Sequence, residues 1–261
     1  MSDFDRNATR WGQGYARAGG AEIDQGLRSY MLGVYNNMVI GLAITGLVAL
    51  GANMLAVTDQ SHAVAKLGRQ IYLTSFGVAI YGSPLRWLVM LAPLAFVFFF
   101  SFRLNQMTAA TARNTFYAFS AFMGLSLSSI LLFYTGTSVA SAFFETAAAF
   151  GALSLYGYTT KRDLSPIGSF LIMGVFGIII ASLVNLIFVH SSALQFGVAI
   201  LTVLIFAGLT AWDTQAIKAM YYEADGYEVA TKKSVNGALM LYLDFINIFQ
   251  SLLYLTGSRN N

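Results

Sequence analysis

Seven stretches of hydrocarbon length follow one another along this chain with short polar interruptions, and that succession leaves little choice of fold. A helix needs roughly 20 apolar residues to cross a bilayer. Lipid offers backbone groups no hydrogen bonds, so such stretches become helices. The spans read as Tyr30–Val57, Leu85–Leu104, Thr115–Tyr134, Val139–Tyr158, Ile167–Val189, Leu194–Met220 and Val235–Leu255. The expected fold is an all-α polytopic membrane protein with seven transmembrane helices, one domain over 30–257. A polar arm (1–29) precedes it and a short tail (258–261) follows. The arm lacks an apolar core and a cleavage site, so it is expected to be cytosolic and not a signal peptide. Ile71–Tyr81 is apolar but too short to cross, and is expected to lie on the surface between spans one and two.

Charge is sparse and unevenly placed. Charged residues make up 10% of the chain, against about 25% in a soluble domain. With seven crossings, one side holds Arg6, Arg10, Arg17, Arg28, Arg103, Arg113, Lys161, Arg162, Lys218, Lys232 and Lys233, eleven of the fifteen basic residues. The other side holds Lys66, Arg69, Arg86 and Arg259. The positive-inside rule then predicts a cytosolic N-terminus and an outward C-terminus. An eighth crossing through Ile71–Tyr81 would reverse every later loop and abolish that bias. The net charge of +3 gives no argument for a nucleic-acid partner, and the absence of cysteine excludes disulfides, thiol catalysis and thiolate metal sites.

Two carboxylates break the apolar pattern. Asp213 and Asp244 sit inside spans six and seven. An ionised carboxylate in the bilayer core costs several kcal/mol, so such residues face a cavity, a partner or an ion path. Asp213 is nine residues before Tyr222, and Asp244 is nine after Val235. At 1.5 Å per residue both lie roughly 14 Å from the same interface. Consecutive helices joined by a short loop are usually neighbours, so the two carboxyls are expected to meet at matching depth. Close carboxylates cannot both ionise cheaply, and such a pair shares a proton. The plainer alternative is a permanently protonated pair that glues two helices, although membrane helix glue is more often Ser, Thr, Asn or Gln.

Other polar residues are weaker candidates. Asn247 shares the face of Asp244 and could orient it or bond its own helix. Arg103 ends span two and is either a snorkelling arginine or a counter-charge below the pair. Glu145 is a third acid in an apolar run, read as a near-surface or vestibule charge. His62 and His190 are isolated and make no metal site. Gly41, Gly46, Gly51, Gly174 and Gly177 are expected to be packing contacts between helices. Enzyme motifs are missing: Gly124-Leu-Ser-Leu-Ser128 lacks the second glycine of a nucleophile elbow, and neither aspartate stands in a Gly-x-Gly-Asp setting. The chain is therefore not expected to be an enzyme.

Several segments, in order, resemble the transmembrane Bax inhibitor motif family, as a bacterial member. They are Arg28-Ser-Tyr-Met-Leu-Gly-Val-Tyr-Asn-Asn-Met38, Gly124-Leu-Ser-Leu-Ser-Ser-Ile130, Gly157-Tyr-Thr-Thr-Lys-Arg-Asp-Leu-Ser165, Trp212-Asp-Thr-Gln-Ala-Ile-Lys218 and Leu239-Met-Leu-Tyr-Leu-Asp-Phe-Ile-Asn-Ile-Phe249. The resemblance implies six helices around a central seventh and a pH-sensitive calcium leak in the cytoplasmic membrane. Its two sensor aspartates fall on Asp213 and Asp244, which would hold Ca²⁺ transiently, and its span-two arginine falls on Arg103. No cofactor is implied; Ca²⁺ and H⁺ are the ions handled. Eukaryotic relatives suppress cell death, and bacterial relatives are linked to regulation of a membrane protease. Two positions depart from the pattern: Tyr254 and Ala92 stand where some bacterial members carry an arginine and an acid, so an outer ion-pair latch is missing.

The leading expectation is a calcium leak channel gated by the aspartate pair. Its rivals are a non-conducting regulator that binds a membrane protease or other partner, and an intramembrane hydrolase built on the two aspartates.

Overall fold

The computed structural model describes residues 3–67 and 71–260. Helices dominate it: α1 (Asp3–Ala56), α2 (Leu85–Arg103), α3 (Ala109–Leu127, continued by the turn Ile130–Phe133), α4 (Gly136–Thr159), α5 (Ser165–Val184, ending in the π-turn Asn185–Val189), α6 (Ser192–Ala219) and α7 (Tyr227–Thr256). Two three-residue strands, β1 (Ala65–Leu67) and β2 (Ile71–Leu73), form a small antiparallel hairpin after α1. The helix starts follow side-chain chemistry. Thr108, Thr135 and Ser191 each accept a hydrogen bond from the backbone N–H three residues on, supplying the free first-turn donors of α3, α4 and α6. Pro166 stands in the first turn of α5, where its missing N–H costs nothing. His190 turns the chain between α5 and α6 with a positive φ of 51°. The Asn185 side chain stabilises that turn by accepting from Ser191 N at 2.8 Å.

Among the described residues, six helices are long and apolar enough to cross a membrane: Gln25–Ala56 within α1, Ala109–Phe133, Gly136–Thr159, Ser165–Val189, Ser192–Ala219 and Tyr227–Thr256. The span expected at Leu85–Leu104 qualifies only as a broken pair, Ser75–Gly82 with Leu85–Phe100, bent by 63°. Pro84 stands at the bend; proline lacks the N–H that would carry the helix through.

Ile71–Tyr81 forms no crossing of its own and is only partly buried, with Ser75 and Phe76 exposed. Its first three residues form β2, and Ser75–Gly82 makes a short helical turn whose Leu73 and Ile80 flanks are buried. Thr74 anchors that turn, donating to the Leu55 carbonyl at 2.7 Å and accepting from Gly77 N at 3.2 Å. A Cβ on Gly77 would collide with the Ala56 carbonyl, so glycine permits the close approach to the end of α1.

Helix α7 packs against α1, α3, α4 and α6. Its most apolar window is 56% buried, against 6% for α5, which packs chiefly on α6 and is nearly all outer surface. Tyr242 fills the junction of α1, α3 and α7. Its ring meets Phe116 and Phe119 edge-on at 5.6 Å each.

Candidate functional site

Asp213 on α6 and Asp244 on α7 face one another across the interface of two adjacent helices. Both are buried, at 7% and 3% exposure. Their carboxyls lie within side-chain hydrogen-bond reach of each other. Asp244 Oδ2 is buried and receives no donor if both groups are ionised; a proton held by one carboxyl supplies the missing bond to the other. Among the described residues the ion pair is Lys233–Asp225, in the α6–α7 loop and first turns of α7, and no cation is paired with either buried aspartate.

Each carboxyl is held from behind. On α6, a Cβ on Gly157 would strike the Ala211 carbonyl and one on Gly168 would strike the Trp212 ring, so α4 and α5 close tightly on the turn before Asp213. The Gln215 amide accepts from Leu164 N at 2.9 Å and donates to the Arg162 carbonyl at 2.8 Å. Lys218 Nζ donates to the Tyr158 carbonyl at 2.8 Å. On α7, the Tyr242 hydroxyl and Thr45 Oγ1 are hydrogen-bonded at 2.6 Å, and Thr45 Oγ1 also lies within reach of the Gly41 carbonyl of α1 and the Ser120 carbonyl of α3. Phe245 packs on Phe143 and Phe150 of α4. The pair thus joins α6 to α7, which also packs directly on α1, α3 and α4.

The supporting residues are placed differently. Arg103 is exposed at the end of α2 and its Nη1 donates to Gln106 Oε1 at 3.3 Å, so it does not engage the aspartates here. Asn247 donates to the Leu243 carbonyl of its own helix at 2.8 Å and leaves Asp244 unserved. Glu145 is exposed on α4, and His62 and His190 are exposed in loops. Ala92 and Tyr254 are half-buried and cannot form an ion-pair latch. Of the glycines read as packing contacts, Gly41 and Gly174 are; a Cβ on Gly46, Gly51 or Gly177 would meet open space. Among the described residues no group of three metal-ligating side chains forms. Two carboxyls offer four oxygens against the six to eight that Ca²⁺ takes, so an ion at this pair would keep part of its water.

Tyr242, Thr45, Gln215 and Lys218 are not apparent from sequence as parts of this arrangement. Tyr242 carried the one signal: a phenol mid-span must find a hydrogen-bond partner. The tail adds a clamp: Ser258 O accepts from Thr135 N at 3.1 Å, Ser258 N donates to Ser138 Oγ at 2.9 Å, and Asn260 N donates to the Phe133 carbonyl at 2.9 Å. These bonds fasten the end of α7 to the α3–α4 turn.

The chain is similar to proteins of several bacteria. It is 42% identical to the inner membrane protein YbhL of Escherichia coli over 237 residues, 90% of this chain and 93% of that one. A Caulobacter vibrioides protein is 43% identical over 265 residues, 99% of each chain, and a Rickettsia prowazekii protein is 43% identical over 239 residues, 92% and 93% of the two chains. The family model described as inhibitor of apoptosis-promoting Bax1 matches residues 27–261, which takes in α7 and both buried aspartates. A helical membrane protein matched over that whole length belongs to the Bax inhibitor-1 family.

Proposed function

We propose that this protein is a pH-sensitive calcium leak channel of the bacterial cytoplasmic membrane, gated by the Asp213–Asp244 pair. The observation that carries it is the meeting of two buried carboxyls on adjacent antiparallel helices, within hydrogen-bond reach and without a paired cation. With a shared proton the pair draws α6 and α7 together and the path is shut. Loss of that proton leaves two negative charges side by side. At about 4 Å and an effective dielectric near 20, their repulsion is on the order of 4 kcal/mol, enough to shift an opening equilibrium roughly a thousandfold. The freed oxygens suit a hard cation such as Ca²⁺, bound only in passing. No reaction is catalysed and no cofactor is used in this scheme.

The accompanying topology is seven crossings, the second made by the bent pair, with α7 central, the N-terminus in the cytosol and the C-terminus outside. Burial of α7 against four helices supports the central position, and the basic bias supports the orientation. The name of the relative YbhL supports the cytoplasmic membrane. Purified protein in liposomes tests the function: Ca²⁺ flux exceeding that of empty vesicles, with K⁺ and H⁺ compared, is the expected result. No flux of any ion at any pH would instead favour a regulator that acts by binding a membrane partner.

A further inference from the structure

A cavity of about 890 Å³ opens between α1 and α4, at the end of the bundle where the basic residues collect. Its walls are Met31, Leu32, Phe150 and Leu155, and Arg28 and Tyr158 stand at its mouth. Leu32 and Leu155 are exposed, so the cavity is a groove open sideways between the two helices. Its volume falls in the range of ligand sites, roughly 300–1,000 Å³.

The polar atoms deep in the groove need nothing from a ligand. Tyr35 OH and Ser154 Oγ are 2.7 Å apart, Ser154 Oγ and Thr214 Oγ1 are 3.0 Å apart, and Thr214 donates to the Thr210 carbonyl at 2.7 Å. An ion or a water cluster would find these groups already engaged. What remains is an apolar trough with a cationic mouth. Arg28 is exposed there. Lys218, fixed to the Tyr158 carbonyl and 4.9 Å from the centre of its ring, adds a second positive charge behind the mouth. An apolar trough open sideways and capped by positive charge is complementary to an amphiphile with an anionic head.

We propose that this groove binds an anionic phospholipid of the adjoining leaflet. An acyl chain lies along Met31, Leu32, Phe150 and Leu155, and the phosphate is drawn to Arg28 in the field of Lys218. The site stands apart from the aspartate pair and does not depend on ion conduction.

Two substitutions separate the tail from the head. A Cβ on Gly151, which lines the groove, meets nothing within 4 Å; Gly151→Leu therefore starts in open space, carries an isobutyl group into the trough and favours the helix. Arg28→Gln removes charge at the mouth. The experiment is native mass spectrometry of delipidated protein titrated with phosphatidylglycerol or phosphatidylcholine, with and without inorganic phosphate. Wild type should bind phosphatidylglycerol several-fold more tightly than phosphatidylcholine. Arg28→Gln should lose roughly fivefold toward phosphatidylglycerol, the attraction of one basic residue to an anionic headgroup, and little toward phosphatidylcholine. Gly151→Leu should lose both lipids. Inorganic phosphate should compete poorly, because it lacks the tail. Equal binding of phosphatidylglycerol by all three proteins would overturn the proposal, as would full displacement by phosphate. A dimer lost on Gly151→Leu would assign the groove to a second copy. Should Gly151→Leu not fold, the ratio of the two lipids in wild type and Arg28→Gln decides alone.

Discussion

At the scale of single residues, the structure rests on a few buried polar atoms with partners far away in sequence. Tyr242 and Thr45 are 197 residues apart and 2.6 Å apart in space. Tyr242→Phe removes one buried hydrogen bond while keeping the ring between Phe116 and Phe119, and should cost about 1 kcal/mol of stability. Reversible unfolding in detergent micelles measures this, and no change would mean that the hydroxyl is idle. The aspartates were legible in sequence because their depth can be counted from the polar loop between their helices. Arg103 and Asn247 could not be judged the same way. A side chain at a span end or one turn from a carboxylate has several partners within reach, and here Gln106 and the Leu243 carbonyl take them.

At the scale of elements, helix existence was legible and helix contacts were not. Among the described residues, six helices of membrane length follow from apolar length, yet α7 begins at Tyr227, eight residues before Val235: Tyr227–Val229 are exposed, and the polar Thr231 and Ser234 of its second turn are buried in the bundle. Glu228 in that extension accepts from Ala109 N at 2.7 Å and so caps α3. The break before α2 stood in the sequence as Ser83-Pro84, but the apolar run after it masked the bend. Glycine spacing misled, since three of five chosen glycines face open space. The contrast is testable. Gly157→Ala drives a methyl into the Ala211 carbonyl and should cost about 1–3 kcal/mol. Gly46→Ala meets nothing and should be neutral or gain up to about 1 kcal/mol through helix propensity. Equal thermal stability of the two variants would mean that α4 and α6 do not approach as closely as described.

At the scale of the whole molecule, α7 is fastened at both ends. Glu228 ties its start to α3, and the 257–260 tail ties its end to the α3–α4 turn through main-chain bonds. The sequence marks 258–261 as a mere tail, because main-chain pairing leaves no trace in residue type. Deleting residues 258–261 removes several of these bonds and should speed amide exchange at Thr135, whose N–H donates to the tail, read by mass spectrometry. Unchanged exchange there would show that the tail is not engaged. The proposed seven crossings would place the termini on opposite sides, so a reporter at Asn261 should be active only outside the cytosol; cytosolic activity would mean an even number of crossings. If α7 is held at both ends, the movable contact lies between, where the carboxyls meet. The direct measurement is Ca²⁺ flux into proteoliposomes from roughly pH 6 to 8, with the two carboxyls titrating as a pair. Wild-type flux should rise with pH, as deprotonation sets two negative charges against each other. Asp213→Asn and Asp244→Asn, which keep size and a hydrogen bond but leave one carboxyl, should lose that slope. Identical flux–pH curves for wild type and both variants would contradict the gate and leave the pair a structural bond between two helices.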